Sequence, residues 1–167
     1  MNIKSVSIIG CGNIGISIAL GLVKAGFNSS NITLTRRKVE HLDKLKSNGF
    51  RVTNNNLSAI ENAHIIILAV TPDQIVGLCE EISSKINSDQ IVVSLVSGIK
   101  IKDLKSNLKN SDIIRAMPNI AVSVFEGMTA LIGNEKVTKE QISIAESIFE
   151  SVGEIIWLKE ESQMDSF

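Results

Sequence analysis

Apolar residues run through this chain in two alternating rhythms. Short stretches rich in isoleucine and valine, at residues 5–9, 31–35, 51–53, 65–70, 91–95 and 113–116, predict strands. At 65–70 and 91–95 the apolar character is nearly continuous, which is how strands covered on both faces read. Between them the apolar positions recur every three or four residues, as on one face of a helix. Helices are predicted to begin near Asn13, Arg37, Leu57, Pro72 and Lys100. Pro72 suits a first helical turn because it brings no N–H to leave unpaired. Two further strands, at 129–132 and 154–158, flank a helix at 139–151. The connections are short, and no repeat, low-complexity tract or Gly/Ser linker interrupts them. The pattern predicts one α/β unit, a doubly wound, mainly parallel sheet with helices on both faces.

The first strand-to-helix junction carries the first chemical signal. In SIIGCGNIGISIALGLVKAGF the segment Gly10, Cys11, Gly12, Asn13, Ile14, Gly15 fits G-x-G-x-x-G, directly after a strand and at the head of a helix. That context is the Rossmann-type fingerprint, in which backbone N–H groups and the helix dipole hold a pyrophosphate. Gly10 permits the turn, Gly12 lets phosphate approach, and Gly15 lets the helix sit close to the strand. Ile14, Ile18, Leu22 and Ala25 continue one apolar face, and Gly26 is placed to end the helix in a left-handed conformation. The next strand, NITLTRRK, bears on which dinucleotide is held. An NAD site places an acid at that strand's end for the ribose hydroxyls, whereas here neutral Thr35 is followed by Arg36 and Arg37. Guanidinium groups pair with phosphate or stack on adenine, so NADP(H) is the expected cofactor.

Charge and composition narrow the remaining classes. The 167 residues are 44% hydrophobic with a formal net charge of −1, enough for one domain burying about two thirds of its unfolded surface. No basic block exceeds Arg36, Arg37 and Lys38, so neither nucleic acid nor an anionic membrane is an expected partner. The longest apolar run, 65–70, is far too short to span a bilayer, and glycines interrupt any signal-peptide pattern, so a cytoplasmic location is expected. Cys11 and Cys79 lie in different settings and predict reduced thiols rather than a disulfide. Cys11 has no histidine nearby to activate it. His41 and His64 read as solvated or capping residues, and no ligand spacing for a metal is present.

Two later strand ends, LAVTP at 68–72 and SLVSGI at 94–99, fall at the carboxyl edge of the sheet, where open α/β folds bind ligands, and IIRAMPN at 113–119 ends there as well. The combination GCGNIG, TRR, LAVTP, SLVSGI, RAMPN followed by EGMTAL, and EESQMD resembles the pyrroline-5-carboxylate reductases over essentially the whole chain. The resemblance implies NADPH-dependent reduction of 1-pyrroline-5-carboxylate to L-proline, the last step of proline biosynthesis. It implies that Gly10 to Gly15 hold the pyrophosphate, that Thr35, Arg36 and Arg37 surround the 2′-phosphate, and that Asn56 lies near the adenine. Ala69, Val70, Thr71, Pro72, Val96 and Ser97 would line the path to the nicotinamide, with Met117, Pro118 and Asn119 beside it. Two departures stand out: the family has lysine where this chain has Thr71, and Thr-Pro where it has Ile120 and Ala121.

Reduction of a cyclic imine by hydride asks mainly for positioning and exclusion of water, so no catalytic side chain is assigned. The resemblance further implies a cofactor domain at 1–158 and, at 159–167, the start of a connection to a helical C-terminal domain, absent from this chain, that forms the homo-oligomer and completes the substrate pocket. Glu161 matches an acidic residue of that family's substrate site. On this reading the chain alone binds NADPH without useful turnover, and an apolar surface is expected near Met164 and Phe167. Two alternatives stay open: another NADP-dependent enzyme, such as a deazaflavin-dependent NADP reductase, or a non-catalytic NADP-binding regulatory module.

Overall fold

The computed structural model describes residues 3–108 and 111–166, the last two of these by their backbone alone. Eight strands form one sheet in the order β3-β2-β1-β4-β5-β6-β7-β8. They are β1 (Val6–Ile9), β2 (Ile32–Thr35), β3 (Arg51–Thr53), β4 (Ile65–Leu68), β5 (Ile91–Ser94), β6 (Asp112–Pro118), β7 (Gly127–Gly133) and β8 (Gly153–Trp157). All neighbours are parallel except β6 and β7, which pair antiparallel with Ile114 opposite Gly133 and Pro118 opposite Thr129. This is the Rossmann arrangement expected from the alternation of elements. Strand order reverses between β1 and β4, which opens a crevice beyond their carboxyl ends.

Every residue of β1, β4 and β5 is buried, because helices cover both faces. On one face α1 (Asn13–Lys24) and α6 (Lys139–Glu150) close over Ile8, Leu34, Ile67 and Ile114. On the other, α3 (Asn56–Ile60), α4 (Ile75–Ile82) and α5 (Ile101–Asn107) close over Ile9, Ile66, Val92 and Ile113. Alternate residues of each strand serve the two layers, as the pleat requires. α2 (Asp43–Ser47) completes the helices beside β3.

Two helix starts and one face position differ from expectation. The helix foreseen at Arg37 begins as a 3₁₀ turn, Val39–Leu42, and becomes α-helical at Asp43; Lys38, ahead of it, offers no capping side chain. Pro72 lies not in α4 but in the turn before it, closed by Gln74 N–H donating to the Thr71 carbonyl at 3.0 Å. That i→i+3 turn occupies residues 71–74, and the helix begins after it at Ile75. Ala25, expected on the buried face of α1, is exposed, whereas Ile18 and Leu22 are fully buried. Gly26 does end that helix, at φ +94°.

After β8 the segment Glu161–Ser166 forms a 3₁₀ helix lying against the face that carries α4 and α5. Met164, expected on an exposed apolar surface, is 1% exposed and joins that core layer. Phe167, named with it, lies outside the described residues.

Candidate cofactor and substrate site

The glycine turn gives each of its glycines a separate reason. Gly10 has φ +76°, where side chains are strained, and a Cβ there would run into the Val70 side chain with Val70 N and Cα at 3.2 Å. At Gly15 a Cβ would sit 3.0 Å from Ile8 Cγ2 on β1 and 3.2 Å from Cys11 Sγ, so the helix approaches the strand closely only without one. Gly12 is different. Its φ is −92° and nothing lies within 4 Å of a Cβ built on it, so the space above its backbone is open to a ligand. No side chain caps the first turn of α1. Its first amides are therefore available to an anion.

The turn opens into a cleft of about 800 Å³. Gly10 and Gly12 line one side and Thr35, Arg36 and Arg37 the end of β2, with Asn56 at the start of α3 and Val70 just after β4. Thr35 is 1% exposed, and its hydroxyl is used twice. Its Oγ1 accepts from Gly10 N–H at 3.2 Å and donates to Asn56 Oδ1 at 2.9 Å. The Asn56 amide donates in turn to Glu81 Oε2 on α4 at 3.1 Å. Cys11 N–H donates to the Thr35 carbonyl at 2.8 Å. One threonine thus ties the glycine turn and the β2 end to the start of α3. An aspartate there would lack the proton for the bond to Asn56.

The other expected residues divide between lining and support. Cys11 is fully buried beneath the turn; desolvation pushes its thiol up to about 12, against the opposing pull of Arg36, so it stays protonated and unreactive. Asn13, Ile14, Ala69, Thr71 and Pro72 flank the cleft without lining it, and Val96 is buried behind its strand end. A second pocket, about 370 Å³, joins Ser97 and Gly98 to Met117, Pro118 and Asn119, with Arg115 and Met164 also lining it. Asn119 Oδ1 accepts from the N–H groups of Ala121 and Met128 at 3.1 and 3.2 Å, which fixes the loop after β6. Both pockets open at the carboxyl ends of the parallel strands. Among the described residues no cluster of three His, Cys, Asp or Glu side chains could hold a metal ion, and no helix is long and apolar enough to cross a membrane.

A family model described as NADP oxidoreductase, coenzyme F420-dependent, matches residues 5–98, more than half of the chain. The chain belongs to that family. The stretch matched to the F420-dependent NADP oxidoreductase model takes in the whole first cleft and ends at Gly98, before β6. Similarity to particular relatives runs further. Pyrroline-5-carboxylate reductase 2 of Dictyostelium discoideum is 35% identical over 99% of this chain and 61% of its own length. A solved pyrroline-5-carboxylate reductase of Coxiella burnetii superposes with a TM-score of 0.94 at 37% identity, covering 98% of this chain and 62% of that one. The Plasmodium falciparum pyrroline carboxylate reductase, solved with NADP bound, shares the fold at a TM-score of 0.86 and 24% identity, over 98% of this chain and 60% of that one. The chain therefore spans about three fifths of the length of these relatives.

Several residues in this member of the F420-dependent NADP oxidoreductase family escape a reading by motif. Lys38, His41 and Asn54 extend the basic end of the first cleft, while Asp73, Gln74 and Glu81 form its far wall. His41, read from sequence as solvated, is exposed but faces this cleft. Arg115 is 2% exposed in mid-strand, and its Nη1 donates to Glu161 Oε1 at 3.1 Å. The same Glu161 oxygen accepts Ile101 N–H at 2.8 Å, and Glu161 does not itself line the second pocket. A charged residue in the apolar run IIRAM was the available signal for Arg115; nothing local singles out Glu81.

Proposed function

We propose that this chain binds NADPH in preference to NADH and supplies the cofactor half of a pyrroline-5-carboxylate reductase, which converts 1-pyrroline-5-carboxylate to L-proline. The observation that carries the reading is one cleft in which an uncovered glycine turn faces the run Arg36, Arg37 and Lys38. The open space over Gly12 fits a pyrophosphate, and the guanidinium groups fit an additional phosphate on the adenosine ribose. Thr35, with both hydroxyl bonds already engaged, holds the two halves of that surface at fixed spacing.

When bound, the dinucleotide would supply the hydride; the residues around it bind, orient and exclude water. Val70 closes over the glycine turn, and Ser97 with Met117, Pro118 and Asn119 forms a half-apolar pocket suited to a flat ring. No side chain of this chain need move a proton, because the iminium form of the substrate accepts hydride directly. Similarity to pyrroline-5-carboxylate reductases through β6 and the segment after β8, beyond the matched family model, favours the imino acid over a deazaflavin as the reaction partner. We further propose a cytoplasmic, homo-oligomeric enzyme.

The test is calorimetric titration of NADPH and NADH, followed by measurement of NADPH oxidation with 1-pyrroline-5-carboxylate and, in parallel, of NADP⁺ reduction by a reduced deazaflavin. Tighter NADPH binding and turnover of the imino acid are expected in the reductase. Equal affinity for the two cofactors, or hydride exchange with the deazaflavin alone, overturns the proposal.

A further inference from the structure

We infer that Glu161 is a positioning residue that clamps three walls of the second pocket together through one carboxylate oxygen, and that it acts on the nicotinamide end of the site without touching substrate. The inference rests on the proposed reading that this pocket receives the nicotinamide.

The argument begins with the cost of Arg115. It shares a face of β6 with Ile113 and Met117, in the layer packed by α4 and α5, and it is 2% exposed. Its Nε is buried with no hydrogen-bond partner. A buried ion pair is seldom more stabilising than apolar residues of the same volume, whereas it does demand one particular partner in one particular place. What Arg115 brings is therefore register. Glu161, 46 residues away in the chain, must lie over it, and this fixes where the 3₁₀ segment Glu161–Ser166 crosses the sheet.

The same oxygen takes the Ile101 N–H at 2.8 Å, at the first residue of α5. α5 follows almost directly on Ser97 and Gly98, which form one wall of the pocket. Met164, three residues after Glu161 and 1% exposed, forms another. Arg115 itself lies two residues before Met117, which with Pro118 and Asn119 forms the third. Strand β6, the start of α5 and the closing segment thus meet at a single atom. None of these contacts reaches the glycine turn or Arg36, so withdrawing the carboxylate should loosen the second pocket and leave the first cleft as it was.

The experiment compares wild type with Glu161→Ala and Glu161→Gln, using NADPH and adenosine 2′,5′-bisphosphate as separate probes. Circular dichroism checks folding, and the emission of the bound dihydronicotinamide reports its surroundings. Glu161→Ala is expected to weaken NADPH about tenfold and shift that emission, with the bisphosphate affinity unchanged within about twofold. Glu161→Gln keeps an acceptor for both donors and should lie nearer wild type. Should Glu161→Ala not fold, Arg115→Met/Glu161→Ala removes the buried cation with its partner and is expected to give the same selective loss. A folded variant that keeps the wild-type ratio of the two affinities overturns the clamp and leaves the cofactor reading standing. A wild-type chain that binds neither probe overturns the cofactor reading and the clamp with it.

Discussion

Gly10 and Gly12 stand two residues apart in one turn, and the geometry predicts opposite fates for them on substitution. Gly10→Ala would impose a Cβ on a backbone at φ +76° and press it against Val70. The left-handed conformation costs roughly 1–2 kcal/mol and the overpacking about 1–3 kcal/mol, so a loss of about 2–5 kcal/mol of stability is expected. Gly12→Ala meets nothing within 4 Å and keeps an ordinary extended φ of −92°. Its entropic gain of about 0.4–1 kcal/mol roughly cancels the poorer capping by alanine ahead of α1, leaving stability near wild type. Binding should follow the other order of cause. A side chain at Gly12 occupies the space above the first amides of α1; each lost bond to a phosphate oxygen is worth about 1.5–3 kcal/mol, or about tenfold to a hundredfold in affinity. Gly12→Val, larger still, should abolish binding in a folded domain. Urea unfolding together with NADPH calorimetry on the three variants separates the two effects. If Gly12→Val binds NADPH as tightly as wild type, or unfolds as readily as Gly10→Ala, the turn is structural and the assignment of the cleft fails.

Other outcomes follow from the same cleft. Arg36→Ala/Arg37→Ala should weaken NADPH by about 1.5–3 kcal/mol and leave NADH nearly unchanged in parallel titrations, whereas equal losses for both would remove the argument for the 2′-phosphate. Glu81→Ala should weaken NADPH about two- to tenfold by freeing the Asn56 amide, with Glu81→Gln close to wild type. Loss of a negative charge alone would tighten binding, so tighter NADPH in Glu81→Ala refutes the relay through Asn56. For Cys11, held at about 12 by burial against an ordinary value of 9.0, the unfolded chain releases its proton first as pH rises. Stability should therefore be intact below pH 9.0 and fall between 9.0 and about 12, by up to about 1.4 kcal/mol per pH unit for this thiol. Denaturant melts of wild type and Cys11→Ala across that range check it; identical slopes would exclude the thiol as the cause.

The central strands were legible because they are covered on both faces, and burial on both faces writes itself as an apolar run. Ile65–Leu68 and Ile91–Ser94 need no other signal. The glycine turn was equally plain, since three close glycines between a strand and a helix have few other causes. Helix starts were less so: at Arg37 and Pro72 the local residues permit a helix, and the turn that delays it depends on a bond such as Gln74 N–H to Thr71. Pairings across long separations were not legible at all. Arg115 stood within a recognisable motif, yet its carboxylate partner lies 46 residues on, and the 25-residue link from Asn56 to Glu81 joins the start of α3 to an unremarkable position on α4. Met164 was expected on a surface that a further helical domain would cover; it is buried instead because Glu161 brings its segment down onto β6.

The central place of β1 in the sheet has a consequence for how the domain is made. Val6–Ile9 pairs with Ile32–Leu34 on one side and with Ile65–Leu68 on the other. During synthesis the first partner arrives soon, but the second follows the strand by about sixty residues, an interval of roughly 3–12 seconds at about 5–20 residues per second. Through that interval the run VSII offers an unpaired, largely apolar edge to whatever else is in reach. Once Leu68 is out, the edge closes and stays closed. The period of greatest exposure to misassociation is thus set by the time translation takes between two segments, and changes in elongation rate between residues 10 and 68 should alter the yield of this domain while its finished stability stays the same.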